Sequence, residues 1–390
     1  MALTLAVGLY VRRRGARDAA GYFLGNRQMP WWLLGLSMVA TTFSTDTPNR
    51  VTDIVRTEGV AGNWAWWSFL LTGMLTTFIF ARLWRRLGVT TDIEFYEKRY
   101  SGRAASFLRG FRAIYLGVLF NVMIIGLVTL AAIKIGGVML GLAPVEVVLW
   151  AGLVTVIFSA VSGFVGVVVT DVILFVIAML GAFLAAWFAL DHPAVGGLAG
   201  LMSNEAVIAR RVMFPDFAVA STWIPLLLVP LAVQWWAAWY PGSEPGGGGY
   251  VAQRMLAARN ERHAMLAALF FNVAHYAIRP WPWIVVALAS LVVFPDLDSL
   301  GSALPQVDRG IVGHDLAYPA MLSLLPTGVL GLVVASLVSA YISTISSHLN
   351  WGSSYVVNDV YVRFFRPLSD AKEQLLVARL ATVCLMVAGA

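Results

Sequence analysis

Stretches of about twenty residues without one charged side chain dominate this chain and leave few folds open. The intervals 59–81, 113–133, 147–170, 172–190 and 217–243 contain no Asp, Glu, Lys or Arg, and 316–358 contains none over a longer span. A helix of about 20 apolar residues crosses about 30 Å of hydrocarbon, so each interval is long enough, or nearly so, to span a bilayer. The interval 264–295 qualifies apart from Arg279, and a further helix begins at Trp31. Eight spanning helices are expected, with two apolar ends, 1–10 and 380–390, too short to span. The alternation of a membrane β-barrel does not occur. An all-α, polytopic transmembrane bundle is therefore expected, apparently truncated at both ends.

Composition removes other classes. With 59% hydrophobic and 12% charged residues, the chain is no disordered scaffold, and a net charge of +6 needs a source other than nucleic-acid binding. Loop charge supplies it. Segments 12–27, 82–112, 254–262 and 359–379 hold 5, 8, 3 and 4 basic residues, twenty of the twenty-seven. Opposite loops hold Arg50, Arg56, Arg210, Arg211 and Arg309, so the basic side is cytoplasmic and the loop with Asp296, Asp298, Asp308 and Asp315 is outside. Lys134 and Arg279 lie inside apolar runs. The implied location is a cell membrane, the bacterial inner membrane, with the lipid bilayer as a partner and no nucleic acid. The first ten residues are apolar before they are basic, the reverse of a signal peptide. Cys384 is the only cysteine and the five histidines are scattered, which excludes a disulfide framework and an HExxH-type metal site.

Two places break the helical pattern. After the helical run from Trp31 comes Ser44-Thr45-Asp46-Thr47-Pro48-Asn49, rich in side-chain oxygen and containing a proline. The second follows Trp235-Trp236-Ala237-Ala238-Trp239-Tyr240, where Pro241-Gly242-Ser243-Glu244-Pro245 runs into Gly246 to Gly249. Irregular backbone at membrane depth survives only when buried in protein or lining a watery cavity. Two interrupted helices about two hundred residues apart and of opposite orientation are the mark of an inverted-repeat secondary transporter. A packed proline kink at the first break, and a cytoplasmic turn at the glycine run, are the alternatives.

A third feature is the hydroxyl-rich segment Ala335 to Asn350 inside the uncharged interval 316–358. Ala340, Ser343 and Thr344 share one helical face, as do Ser343, Ser346 and Ser347, so oxygens can be aimed at a small hard cation such as Na⁺. Hydroxyls that bond back to their own helix and permit close packing give the same pattern. Asp171, with 24 uncharged residues before it and 19 after, is either the partner of such a cation or a helix-terminal group facing cytoplasmic water beside Ser162-Gly163.

At these residues the chain resembles the solute:sodium symporter family, whose fold is the leucine-transporter-like inverted repeat. The resemblance starts at Gly21-Tyr22-Phe23-Leu24-Gly25-Asn26-Arg27-Gln28-Met29-Pro30-Trp31-Trp32. It continues through Thr170-Asp171, Gln253-Arg254-Met255-Leu256-Ala257-Ala258-Arg259-Asn260, Ser343 to Asn350 and Asn358-Asp359-Val360-Tyr361. It implies one transmembrane domain over 1–390, with a partial leading helix at 1–11, a first repeat at 31–190 and an incomplete second repeat at 217–390. It also implies a shared sodium site at the backbone carbonyls of Ala40 and Phe43 with Ala340, Ser343 and Thr344. A second sodium found in some members matches Asp171, Ser343, Ser346 and Ser347. The segment from Tyr240 to Tyr250 is longer and richer in glycine than the family pattern.

The implied activity is Na⁺-coupled import of a small polar solute by alternating access, with one or two Na⁺ and no organic cofactor, and without enzymatic chemistry. Thr45, Asp46, Asn49, Trp236 and Glu244 are candidate solute contacts near the breaks and the helix at 107–140. Carboxylates, an amide and tryptophan faces suit a sugar or polyol, and would also suit an ammonium group. Lys134 and Arg279 could instead meet an anionic solute, unless Lys134 snorkels and Arg279 pairs with Asp46, Asp171 or carbonyls freed by a kink. A solute sensor on the same fold, and a membrane-embedded transferase or hydrolase acting through Asp46 and Glu244, are the other two classes.

Overall fold

A computed structural model describes residues 19–233 and 248–390; the segments 1–18 and 234–247, and with them Trp236 and Glu244, lie outside the described residues. Regular structure among the described residues is helical. The elements used below are α1 (Ala19–Leu24), α2 (Trp31–Thr41), α3 (Asp46–Glu58), α4 (Val60–Leu87), α5 (Gly102–Leu140), α6 (Pro144–Asp191), α7 (Ala220–Val233), α8 (Gly249–Ala257), α9 (Glu261–Val293), α10 (Thr327–Phe365) and α11 (Ala371–Gly389). Five of them, α4, α5, α6, α9 and α10, are long and apolar enough to cross a membrane. The uncharged interval 316–358 is not one helix: a short helix, Ala317–Ser323, precedes α10.

Helix α6 contains two crossings. Its 48 residues are divided at Gly163, whose φ of 58° and ψ of −168° leave the helical region. A Cβ there would stand 2.9 Å from the ring of Tyr22, so only glycine fits both the conformation and the contact. The Tyr22 hydroxyl donates to the carbonyls of Ser159 and Ala160, each at 3.4 Å, and so caps the chain just before the break. The two separate sequence intervals, 147–170 and 172–190, thus meet their boundary at 163 rather than at Asp171. Asp171 is consequently interior to the second crossing and fully buried, not at a water-facing helix end.

The broken helix expected after Trp31 is present. Helix α2 stops at Thr41, where Thr41 donates back to the Ser37 carbonyl and Thr42 to the Val39 carbonyl, both at 2.8 Å. Such local hydroxyl bonds compete with the helical ladder. Pro48 sits in the first turn of α3, where its missing N–H costs nothing, and Asp46 opens that helix at its positive end. In the second half of the chain α7 and α8 flank the undescribed segment, and Gly249 starts α8 with φ +60°.

Helices α6 and α10 form the most extensive helix pair. Gly181 permits this: a Cβ there would meet the Ser336 hydroxyl at 2.2 Å. Bilayer tails are as apolar as leucine, so association rests on such close approach and on interhelical hydrogen bonds. Helix α2 lies against α6, α9 and α10, which brings its broken end into the centre of the bundle. Trp150, Leu153 and Ile157 on α6, and Leu119, Met123, Leu127 and Leu130 on α5, are exposed at helical spacing and form lipid-facing stripes.

Candidate functional site

The site is built where the end of α2 meets the middle of α10. Leaving the helix at Thr41 turns carbonyls away from helical bonding and toward α10. The Thr344 hydroxyl lies 3.0 Å from the Thr41 carbonyl and 3.1 Å from the Phe43 carbonyl. Ala40, Phe43, Ala340, Ser343 and Thr344 are all buried, at 1–3% exposure. These are neutral, hard oxygen donors in a protein interior, the donor chemistry that suits Na⁺. The Ala40 carbonyl accepts the Phe43 N–H at 3.1 Å, and the Ser343 hydroxyl donates to Asp171 Oδ1 at 2.6 Å. Thr344 and Phe43 are thus brought together, while Ser343 is turned toward the carboxylate.

Asp171 is the centre of a second cluster. Ser37 donates to its Oδ2 at 2.5 Å, and the Arg254 Nη2 lies 3.8 Å from the same oxygen. Ser347 receives Arg254 Nη2 at 2.5 Å and Thr41 Oγ1 at 2.8 Å. Ser346 bonds back to the Ser343 carbonyl at 3.1 Å. Arg254 was counted by sequence among the cytoplasmic basic residues; the structure corrects this, since it is fully buried on α8. Its charge belongs to the interior, and the reason is Asp171.

Beyond the break, Asp46, Asn49, Arg50, Asp53, Lys134 and Asp315 line a cavity of about 520 Å³ with apolar residues of α5. Thr45 donates to the Val128 carbonyl at 3.2 Å, and Asp46 accepts from Ser44. The Asn49 Oδ1 is buried and makes no hydrogen bond among the described residues. Lys134 pairs with Asp315 at 2.9 Å, so its charge is answered from the outer loop. Arg279 is buried and donates to the Thr42 hydroxyl at 2.8 Å and the Val39 carbonyl at 3.3 Å, with its guanidinium 5.4 Å above the Trp283 ring. It caps the broken end of α2, the carbonyl option among those open from sequence.

Sequence reading missed several residues that the fold places at the break. Ser37 and Thr41 lie on α2 before the oxygen-rich motif, Arg254 carried the wrong topological label, and Trp66, His275 and Tyr276 carried no signal of their own. His275 Nδ1 is 3.2 Å from the Thr42 hydroxyl, and the Trp66 and Tyr276 rings stack at 5.9 Å and 25°. The spacing of α2 to α10 contacts is visible only in three dimensions, although a cation beside Asp171 was one of the two readings open from sequence.

Comparison with known proteins gives the family and the fold. Residues 22–390 match the sodium:solute symporter family, and the chain belongs to it. It is 26% identical over 401 residues to a sodium/glucose cotransporter of Vibrio parahaemolyticus, covering 99% of this chain and 72% of that one. It is 26% identical over 409 residues to the sodium/myo-inositol cotransporter 2 of Mus musculus, covering 98% of this chain and 58% of that one. Among solved structures, a Na⁺-coupled sialic acid symporter in its substrate-bound outward-open state superposes with TM-score 0.79 at 23% identity, covering 100% of this chain and 77% of that one. A nucleobase-cation-symport-1 family transporter gives 0.51 at 11% identity, over 96% and 74%. These two likenesses establish the leucine-transporter-like fold. The matched relatives are cotransporters, not enzymes, which removes the membrane transferase or hydrolase.

Proposed function

We propose that the chain is the transport core of a Na⁺-coupled symporter that imports a small polar solute, a sugar or polyol, across a bacterial inner membrane. One observation carries the reading: two carbonyls released at the break in α2 converge on the Thr344 hydroxyl of α10. A cation held there by Phe43, Ala40, Ala340, Ser343 and Thr344 would tie α2 to α10, and its departure would free them. Residues 31–190 and 217–390 are the two inverted repeats of this reading, the first with its helix broken between α2 and α3. Differential affinity of Na⁺ and solute for outward-open and inward-open states then couples their movement.

The solute would enter through the outer cavity and rest beside Thr45, Asp46 and Asn49. Hydrogen-bond acceptors and an unsatisfied amide there favour a polyhydroxylated ligand, and the glucose and myo-inositol cotransporters among the relatives favour the same class. Lys134 and Arg279 are already paired with Asp315 and the end of α2, which weighs against an anionic solute. The test is thermal unfolding of the purified full chain with sugars, polyols, amino acids and carboxylates, in Na⁺ and then in K⁺ or choline. Stabilisation by a sugar or polyol in Na⁺ alone is the expected result. Stabilisation indifferent to Na⁺ would remove symport and favour a solute sensor.

A further inference from the structure

The Asp171 cluster holds one negative and one positive charge in a buried place. Arg254 and Asp171 are each fully buried, and Arg254 reaches three other helices from α8. Its Nε donates to Ser37 Oγ at 3.2 Å on α2, its Nη2 lies 3.4 Å from Thr41 Oγ1 on the same helix, and Nη2 contacts both Ser347 on α10 and Asp171 on α6. The guanidinium lies 5.5 Å from the Phe164 ring and 5.8 Å from the Tyr250 ring, which keep water away from its faces. Two of the oxygen-bearing residues that would hold a second Na⁺, Asp171 and Ser347, are the ones it engages.

We propose that Arg254 is a tethered counter-cation that competes with Na⁺ for Asp171, so that Na⁺ at the carboxylate and the docked guanidinium exclude one another. The argument rests on the sodium-coupled reading above and adds a residue to it. Electroneutrality is the first reason: one buried carboxylate balances one cation, and a second cation beside it would leave net charge in low dielectric. Space is the second, because the nitrogen 2.5 Å from Ser347 Oγ stands where a metal ligand bond would form.

Release of Arg254 has a route. Helix α8 ends at Ala257, three residues after Arg254 or about 4.5 Å at 1.5 Å per residue, and the chain is exposed again at Arg259. A tilt of α8 would let the long side chain reach cytoplasmic water. The same movement would be felt at α2, because Met29 and Ala257–Arg259 are joined by backbone bonds of 3.2 and 3.0 Å. Na⁺ at Asp171 would thereby loosen α2 and α8 together, and Arg254 would be the residue that converts ion occupancy into inner-gate movement.

The test is a Na⁺ titration of thermal stability on the purified full chain, with choline as the replacement ion, for wild type, Arg254→Gln, Arg254→Gln/Asp171→Asn and Thr344→Ala. Arg254→Gln should lower the half-saturating Na⁺ concentration at least tenfold and steepen the titration, and the added Asp171→Asn should abolish that gain. Should Arg254→Gln fold poorly, Na⁺ should rescue it, because Na⁺ replaces the lost counter-charge. Failure of rescue while the double variant folds would overturn the proposal. So would an unchanged titration of Arg254→Gln alongside a weakened one for Thr344→Ala, a result that leaves sodium coupling standing. No Na⁺ response in any variant would overturn both.

Discussion

The Thr344 hydroxyl stands 3.1 Å from the Phe43 carbonyl, joining the middle of α10 to the broken end of α2 across 301 positions of sequence. A threonine at this place serves as donor to a carbonyl or as ligand to a cation, and alanine serves as neither. Thr344→Ala should raise the Na⁺ concentration needed for half-maximal thermal stabilisation about tenfold, the equivalent of about 1.4 kcal/mol. Ser343→Ala should act in the same direction and also deprive Asp171 of a hydrogen bond. Titrations that overlay the wild type would take α10 out of the ion site.

Among the described residues Arg279 has no carboxylate within ion-pair distance, and it holds the Val39 carbonyl and the Thr42 hydroxyl. Arg279→Met would remove both bonds, while the Thr42 hydroxyl keeps its bond to the Val39 carbonyl. Hydrogen bonds to a charged donor contribute about 1.5–3 kcal/mol each, so a loss of up to about 3–6 kcal/mol in stability is expected. The rank order of stabilising solutes should not change, because the side chain is occupied by α2. A variant of wild-type stability that no longer answers to solute would instead make Arg279 a solute contact.

The break between α2 and α3 was legible because it is local. Charge-free length, the oxygen-rich motif at 44–49 and the hydroxyl faces of 340–347 each declare themselves within a few turns. What sequence could not give is which side a charge faces when a helix is interrupted. Arg254 lies five residues past the start of α8 at Gly249 and five before exposed Arg259, so a loop count naturally assigned it to water. Only the convergence of α2, α6 and α10 on its guanidinium reveals an interior charge. Likewise the boundary between two crossings fell at Gly163, where backbone conformation and the Tyr22 ring decide, rather than at the more conspicuous Asp171.

Lys134 and Asp315 bridge α5 and the outer loop above the cavity, with side chains 35% and 28% exposed. A pair in that setting contributes only about 0.2–1 kcal/mol, so Lys134→Ala should scarcely alter thermal stability. Its effect should fall on access instead. Exchange of the charges in Lys134→Asp/Asp315→Lys should recover the solute on-rate lost in either single variant, measured by stopped-flow fluorescence of the tryptophans. If the double variant is no faster than the singles, the pair does not govern the outer opening.

Glu97 is the centre of a charged network: Arg363 contacts it at 2.8 Å and Arg109 at 2.8 Å, while Arg109 also reaches Asp359 at 2.7 Å. The Arg363 guanidinium foremost, with Ser106 and Arg109, holds the Glu97 carboxyl down from its ordinary 4.5 to about 2. A carboxylate depressed in the folded state adds stability that is fully present above the unfolded value and is lost as pH falls through the folded one. Glu97→Gln should therefore be less stable than wild type by a constant margin between pH 6 and 8. That margin should shrink below about pH 4.5 and nearly vanish at about pH 2. Thermal unfolding of both proteins across this range in detergent is the measurement, and a margin that stays constant down to about pH 2.5 would assign the stabilisation to packing of the side chain rather than to its charge.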